Sequence, residues 1–246
     1  MFIKIDPALF EKQSDYLIGV VVAEGIDNAA ENKEINDLLN TAIAQQKQAL
    51  SGQAVKQLKE LEPYHAAMRN FGISVSRFLP SIEALLTRLV KSGDLPSISP
   101  VVNLTNAISL QYHVPIGTHD IDSLIGDLEI RQVKSDDIAD FKEESSGFDN
   151  GEIVYASGNS IRTRRWIWRQ MPAGLTSKDT KNVVFPIDGF SGNVETILEA
   201  RDALVSKLQH YFGCNTRVGL IQKDSPSFEI SGLSGTAGIA PNLIQE

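Results

Sequence analysis

The order in which two textures occur along the chain limits its fold more than any single motif. Helical patterning dominates residues 31–112, and from Ile116 onward it gives way to short β-rich pieces parted by Gly, Asp and Ser turns. Regular βαβ units would alternate the two textures throughout, so this order predicts an α+β fold. Phe2-Ile3-Lys4-Ile5 reads as a short strand that runs into a helix over 7–13, with Asp6 as N-cap and Pro7 at the first helical position. Tyr16 to Ala23 is a β-branched run long enough for a buried strand. Over 31–51 the apolar positions Ile35, Leu38, Leu39, Ala42 and Ile43 fall on one face of a helix. Further helices are expected over 63–70, 80–91 and 100–112, the last opened by Pro100 and closed before Pro115. Gly158-Asn159 marks a hairpin tip, Val183 to Ile187 a buried strand, 192–211 an amphipathic helix, and 217–222 and 228–230 two closing strands. No internal repeat or heptad series interrupts this plan.

Composition excludes several classes. The 246 residues carry a net charge of −8, which rules out a uniformly basic sheath for nucleic acid but not a local basic patch. The single cysteine, Cys214, rules out an internal disulfide and any cysteine-based metal cluster. The N-terminus lacks a basic stretch followed by an apolar one, and the longest apolar run, Val20 to Ala23, is far too short to span a bilayer. A cytoplasmic protein with no membrane partner is the expectation. Phosphate-binding glycine loops, His-Glu-x-x-His and paired Cys or His at metal spacing are all lacking, so no cofactor or metal is expected.

Three stretches could carry chemistry. Asn103 and Asn106 share a face of the 100–112 helix, while Thr105 lies with Val101 and Ile108. The two asparagines either satisfy loop backbone or line a polar pocket floor. Gly117-Thr118-His119-Asp120 follows, where glycine permits close backbone approach and His119 serves as a general acid or water-positioning group, or as a hydrogen-bonded structural histidine. On a strand His119 and Asp120 point to opposite faces. In the second stretch, Ser160 to Arg169, strand alternation would place Arg162, Arg164, Trp166 and Trp168 on one face. Residues 151–181 hold six bases against two acids, whereas 122–149 hold nine acids against three bases. The arginine face therefore either meets phosphates and stacked bases or pairs with the acidic segment around core tryptophans. The third is Asp188-Gly189 at the end of an apolar strand, a position where a carboxylate enters a pocket or caps a turn.

The run Pro100-Val101-Val102-Asn103-Leu104-Thr105-Asn106 with Pro115-Ile116-Gly117 resembles a signature of the phenylalanine–tRNA ligase β subunit, in the third and fourth domains that edit mischarged tRNA. With Ser81 to Arg88, Gly151-Glu152 and Thr180-Lys181-Asn182, the likeness to free-standing homologues of that module covers about residues 62–230. It departs from the family pattern where a histidine gives way to Gly117, with His119 two residues later. The family's tyrosine-reading glutamate has no match, Asn193 standing near its place. The expected architecture is a layered β/β/α sandwich-like core with mostly antiparallel sheets, preceded by a helix-rich part. Residues 1–61 would form an extension packed on that core, 62–232 the editing-module-like domain and 233–246 a weakly ordered tail.

The resemblance implies a trans-acting hydrolase that deacylates mischarged aminoacyl-tRNA, its partner, at the terminal ribose. In that scheme Gly117 and Thr118 supply backbone donors and His119 or Asp120 aims the water. Asn103, Thr105 and Asn106 hold the ribose or amino group, Asp188 with Gly189 meets the ammonium, and Arg162, Arg164 and Trp166 contact the acceptor end. The alternatives are a non-catalytic module that binds tRNA, RNA or an amino acid, and an adaptor whose acidic segment binds a protein.

Overall fold

The structure, a computed structural model, describes residues 1–139 and 147–231. The elements run β1 (Phe2–Ile5), α1 (Pro7–Lys12), β2 (Tyr16–Glu24), α2 (Lys33–Ala49), α3 (Glu62–Asn70), α4 (Ser81–Ser92), α5 (Pro100–Tyr112) and β3 (His119–Asp120). After these come β4 (Leu128–Gln132), β5 (Ile153–Ser157), β6 (Ser160–Arg164), β7 (Arg169–Gln170), β8 (Asn182–Phe190), α6 (Val194–Phe212), β9 (Asn215–Ile221) and β10 (Ser227–Glu229). Local chemistry sets several of these boundaries. Asp6 accepts from the Ala8 amide at 3.0 Å to cap α1, and Asn32 accepts from the Ile35 amide at 3.1 Å to cap α2. Gly158, at φ 59°, turns β5 into β6.

The strands form a six-stranded sheet, ordered β10-β1-β4-β5-β6-β7, and a four-stranded sheet, ordered β3-β8-β2-β9. Every pairing is antiparallel except β1 with β4. One face of β2 (Tyr16, Ile18, Val20, Val22) packs on Ile3, Ile5, Ile130 and Tyr155 of the other sheet. Its opposite face (Leu17, Val21, Ala23) packs on α5 and α6 through Leu104, Ile108, Ile197 and Leu204. The result is the expected β/β/α stack, and it explains why β2 is apolar at nearly every position: both of its faces are covered. A further cluster joins α2, α4 and α5 beyond the sheets.

Two expectations change. Residues 1–61 do not sit on the core as an extension, because β1 lies between β10 and β4, and β2 lies between β8 and β9. β2, buried on both faces, belongs at a sheet centre wherever it falls in sequence, and β1 turns only Ile3 and Ile5 into the core. The strand expected from Ser160 to Arg169 stops at Arg164, since Arg165 (φ 48°) and Trp166 (φ 62°) adopt the left-handed conformation and turn the chain back into β7. The tail expected over 233–246 lies outside the described residues.

The sheet meets α6 at very close range. A Cβ at Gly189 would stand 2.3 Å from Ile197 Cγ1, and one at Gly19 would stand 2.8 Å from Ile197 Cγ2. Ile197 is seated over two glycines on neighbouring strands. Gly189→Ala is expected to destabilise the fold by about 1–3 kcal/mol in urea unfolding. The penalty should shrink on an Ile197→Ala background, where the obstructing branch is gone. Equal penalties on both backgrounds would refute this packing.

Candidate functional site

The segment after α5 runs antiparallel along the outer edge of β8. Asp188 donates its amide to the Pro115 carbonyl (3.3 Å), Gly117 donates to the Pro186 carbonyl (2.8 Å), and His119 pairs with Val184. Strand alternation then directs the side chains of His119 and Asp188 toward the gap between the sheets. Tyr155 enters the same gap from β5, and Trp166 enters from the left-handed turn. Gly117, His119, Tyr155, Trp166, Pro186 and Asp188 line a narrow cleft of about 60 Å³, well under the usual span of small-molecule sites, with Ser81, Trp168, Arg169 and Gln170 also on its walls.

Asp188 is the polar centre of this cleft. It is 2% exposed, and its carboxylate accepts from the Tyr16 hydroxyl (2.5 Å), the Tyr155 hydroxyl (2.7 and 2.8 Å) and Trp166 Nε1 (3.0 Å). Tyr64 donates to the Asp188 carbonyl at 3.0 Å and accepts from Asn193 Nδ2 at 3.3 Å, which fixes the backbone behind it. Burial pushes the Asp188 carboxyl up to about 6 despite the three donors, and burial with the nearby carboxylate pushes the Tyr16 and Tyr155 phenols well above their usual range. None of the donors is a cation. When Asp188 ionises, its negative charge stays unneutralised in an apolar wall and favours a ligand group that brings positive charge or N–H donors.

His119 lies beside it, 1% exposed, its ring stacked on Tyr155 with centroids 5.6 Å apart and planes 15° apart. Its Nδ1 is buried without a hydrogen-bond partner. Burial, aided by the charge of Arg162, pushes its pKa down to about 3, so the imidazole stays neutral. Gly117 makes room for it: a Cβ there would stand 3.1 Å from His119 Nε2 and 2.8 Å from Pro186 Cγ. Among the described residues, no group of three or more His, Cys, Asp or Glu is placed to hold a metal ion.

The other expected site residues fall elsewhere. Asp120 points away, its carboxylate accepting from Thr180 Oγ1 (2.6 Å) and from the Asp122 amide (3.0 Å). The Gly117 amide is committed to Pro186 and cannot serve as a donor to substrate. Thr118 faces α5, with its Oγ1 3.4 Å from Thr105 Oγ1, and Thr105 itself bonds back to the Val101 and Val102 carbonyls. Asn103 holds a loop, accepting from the Ile98 amide and donating to Asn36 and Ser97. Asn106, half-buried on α5, is not part of the cleft wall. Gly189 turns toward α6.

The arginine face is interior. Arg162 is 2% exposed, bonded to Ser123 and to the Ala173 carbonyl, and Arg164 is 2% exposed, in a two-pronged pair with Glu152 (2.9 and 2.8 Å). Trp166 is fully buried. These three side chains offer no surface to an RNA. Sequence reasoning misses Tyr16, Tyr64 and Tyr155 as site residues, although a tyrosine hydroxyl in each of two mostly apolar strands signals that a buried partner has to exist.

The cleft and its β/β/α frame define a module with a buried, acid-centred pocket between two sheets. The family model for the B3/4 domain matches residues 63–212, more than half of the chain, and the protein belongs to that family. It is 24% identical over 141 residues to the phenylalanine–tRNA ligase β subunit of Idiomarina loihiensis, a match covering 57% of this chain and 16% of the relative, so it spans under a fifth of that subunit's length. A solved N-terminal fragment of the phenylalanyl-tRNA synthetase β subunit from Pyrococcus horikoshii superposes with a TM-score of 0.46 at 13% identity, over 87% of this chain and 49% of that one. No helix among the described residues is long and apolar enough to cross a membrane.

The two buried groups make opposite demands on pH. Asp188, with its value raised, holds a proton between about pH 4 and 6 that the unfolded chain has lost, so its contribution to stability falls as pH rises through that window. His119, with its value lowered, refuses a proton that the unfolded chain takes up below about 6.5, so its contribution falls as pH drops. Relative to wild type, Asp188→Asn is expected to gain about 2 kcal/mol as pH rises from 4 to 6.5, and His119→Gln to gain about 3 kcal/mol in the reverse direction. Urea unfolding across this range reads both, and parallel pH profiles for all three proteins would contradict the assignment.

Proposed function

We propose that the chain deacylates mischarged aminoacyl-tRNA in trans, hydrolysing the ester between an amino acid and the terminal ribose. One observation supports this above the others: in a member of the B3/4 family, His119 and Asp188 line the same cleft, one neutral with an unpartnered nitrogen and the other anionic with no cation beside it. An esterified amino acid carries a free ammonium, the group that the Asp188 carboxylate selects, held in place by Tyr16, Tyr155 and Trp166. The ester carbonyl then lies toward His119.

The depressed pKa of His119 makes it a poor proton acceptor, so its role is to orient the attacking water by hydrogen bonding. The vicinal ribose hydroxyl assists departure of the leaving oxygen, and a strong protein base is not required. The commitment of the Gly117 amide to Pro186 removes one expected oxyanion donor. That observation favours the second reading, a non-catalytic module that holds an amino acid or an aminoacylated RNA end in the same cleft.

A panel of mischarged tRNAs, incubated with the full chain, decides between them. Turnover of at least one substrate is expected, with His119→Ala lowering kcat about 100-fold or more and Asp188→Asn acting mainly on KM. Wild-type kcat/KM should fall below about pH 6, as Asp188 takes up a proton and loses its hold on the ammonium. Saturable binding without turnover of any substrate supports the second reading and ends the first.

A further inference from the structure

The cleft is small as well as acid-centred. Its volume of about 60 Å³ holds roughly four to six water-sized atoms, at about 10–15 Å³ each. Asp188 decides where the first of them sits. Its Oδ1 is occupied by the Tyr16 and Tyr155 hydroxyls and Trp166 Nε1, whereas Oδ2 accepts from Tyr155 at 2.8 Å and keeps a lone pair for an incoming N–H. The walls around that oxygen are locked in place. Trp166 is fully buried, its indole bonded to Asp188 and Tyr16 and held edge to face by Tyr16 at 5.5 Å and Phe71 at 5.1 Å. Tyr155 is held between its bonds to the carboxylate and the His119 ring stacked on it. Pro186, the third wall, has no rotamer to change, and its carbonyl accepts from the Gly117 amide. Swinging Tyr155 or Trp166 aside would leave the buried carboxylate short of a donor.

We infer that the cleft selects aminoacyl groups with the smallest side chains, glycyl, alanyl and seryl, and that Tyr155, Trp166 and Pro186 exclude larger ones. With the ammonium at Asp188 Oδ2 and the ester carbonyl toward His119, both ends of the amino acid lie inside the cleft, and the side chain has only the space left over. The nitrogen, carbons and carbonyl oxygen of the aminoacyl backbone take most of the room, which leaves about one or two further atoms. A valyl group already exceeds that allowance, and a tyrosyl group is about twice the size the cleft holds. Extra methylenes forced against a packed wall push side chains off their rotamers, so the limit is steep. The inference rests on the proposed aminoacyl substrate and adds to it the class of side chain.

The test uses the full chain and adenosine that carries an amino acid on its 3′ position through an amide, a stand-in for the ester that is not hydrolysed. Isothermal titration calorimetry is expected to show saturable binding of the alanyl compound. The valyl compound should bind about 10-fold or more weakly than that, and the tyrosyl compound about 100-fold or more weakly. Trp166→Phe trims the indole and should narrow the alanyl-to-valyl ratio about 10-fold. Trp168→Ala, a cut in the half-buried part of the wall, serves the same purpose where a thermal melt shows that Trp166→Phe has not folded. Tyrosyl binding as tight as alanyl, no binding of any compound, or a ratio that the folded variants leave unchanged overturns the size limit. The same amino acids esterified to tRNA keep the two readings apart. Alanyl-selective binding without turnover of any charged tRNA upholds the limit and ends the hydrolase. Turnover of tyrosyl-tRNA with a kcat/KM equal to that of alanyl-tRNA overturns the limit and leaves the hydrolase standing.

Discussion

The buried carboxylate of Asp188 is the interaction on which the arrangement of this molecule depends. Its partners come from β2, β5 and the turn that follows β6, and Tyr64 of α3 holds its carbonyl. Four separate parts of the chain are thus gathered by one residue of β8. A charge in such a place is costly in isolation, and its three donors offset the cost only in part, as its raised pKa records. The gap between the sheets is therefore polar at one point and apolar everywhere else, which is how a packed interface comes to contain a site.

That carboxylate also accounts for the least regular backbone in the fold. Two consecutive side-chain-bearing residues, Arg165 and Trp166, take left-handed conformations that cost about 1–2 kcal/mol each. Compensation comes from Trp166, whose amide donates to the Ile153 carbonyl and whose indole reaches both Asp188 and the Tyr16 hydroxyl. The Arg165 amide is caught by Glu152. The same turn that buries Trp166 completely leaves Trp168 half-buried on the cleft wall, so the two tryptophans, expected on one face of a strand, differ in depth.

Much of the architecture was legible because its signals are local. The cap at Asp6, Pro100 at the start of α5, the hairpin at Gly158-Asn159 and the apolar run of β2 depend on residues within a few positions of one another. Asp188 stood out as an acid in an apolar strand, although that strand runs on to Phe190 because Leu17 and Tyr16 continue the pairing. The partners of Asp188 were not legible, since Tyr16 and Tyr155 meet it only once two sheets are stacked. Asn103 and Thr105 show the converse: short polar residues in an apolar helix signalled that something must satisfy them, and the loop and helix backbone do so. No glycine or asparagine announces the turn at 165–166, so alternation was carried through it and assigned Arg162 and Arg164 to a surface that they do not occupy.

The central position of β2 has a consequence for how the protein is made. Its ladder partners are β8 and β9, more than 150 residues downstream, and β1 waits as long for β10. Loop closures of that span are paid late in folding. As the chain leaves the ribosome, Tyr16 emerges well before Asp188, and it gains its carboxylate partner only after Asp188 has been synthesised. The stretch 63–212 by itself lacks β1, β2, β9 and β10, so the boundaries of sequence likeness are not the boundaries of an autonomous folding unit.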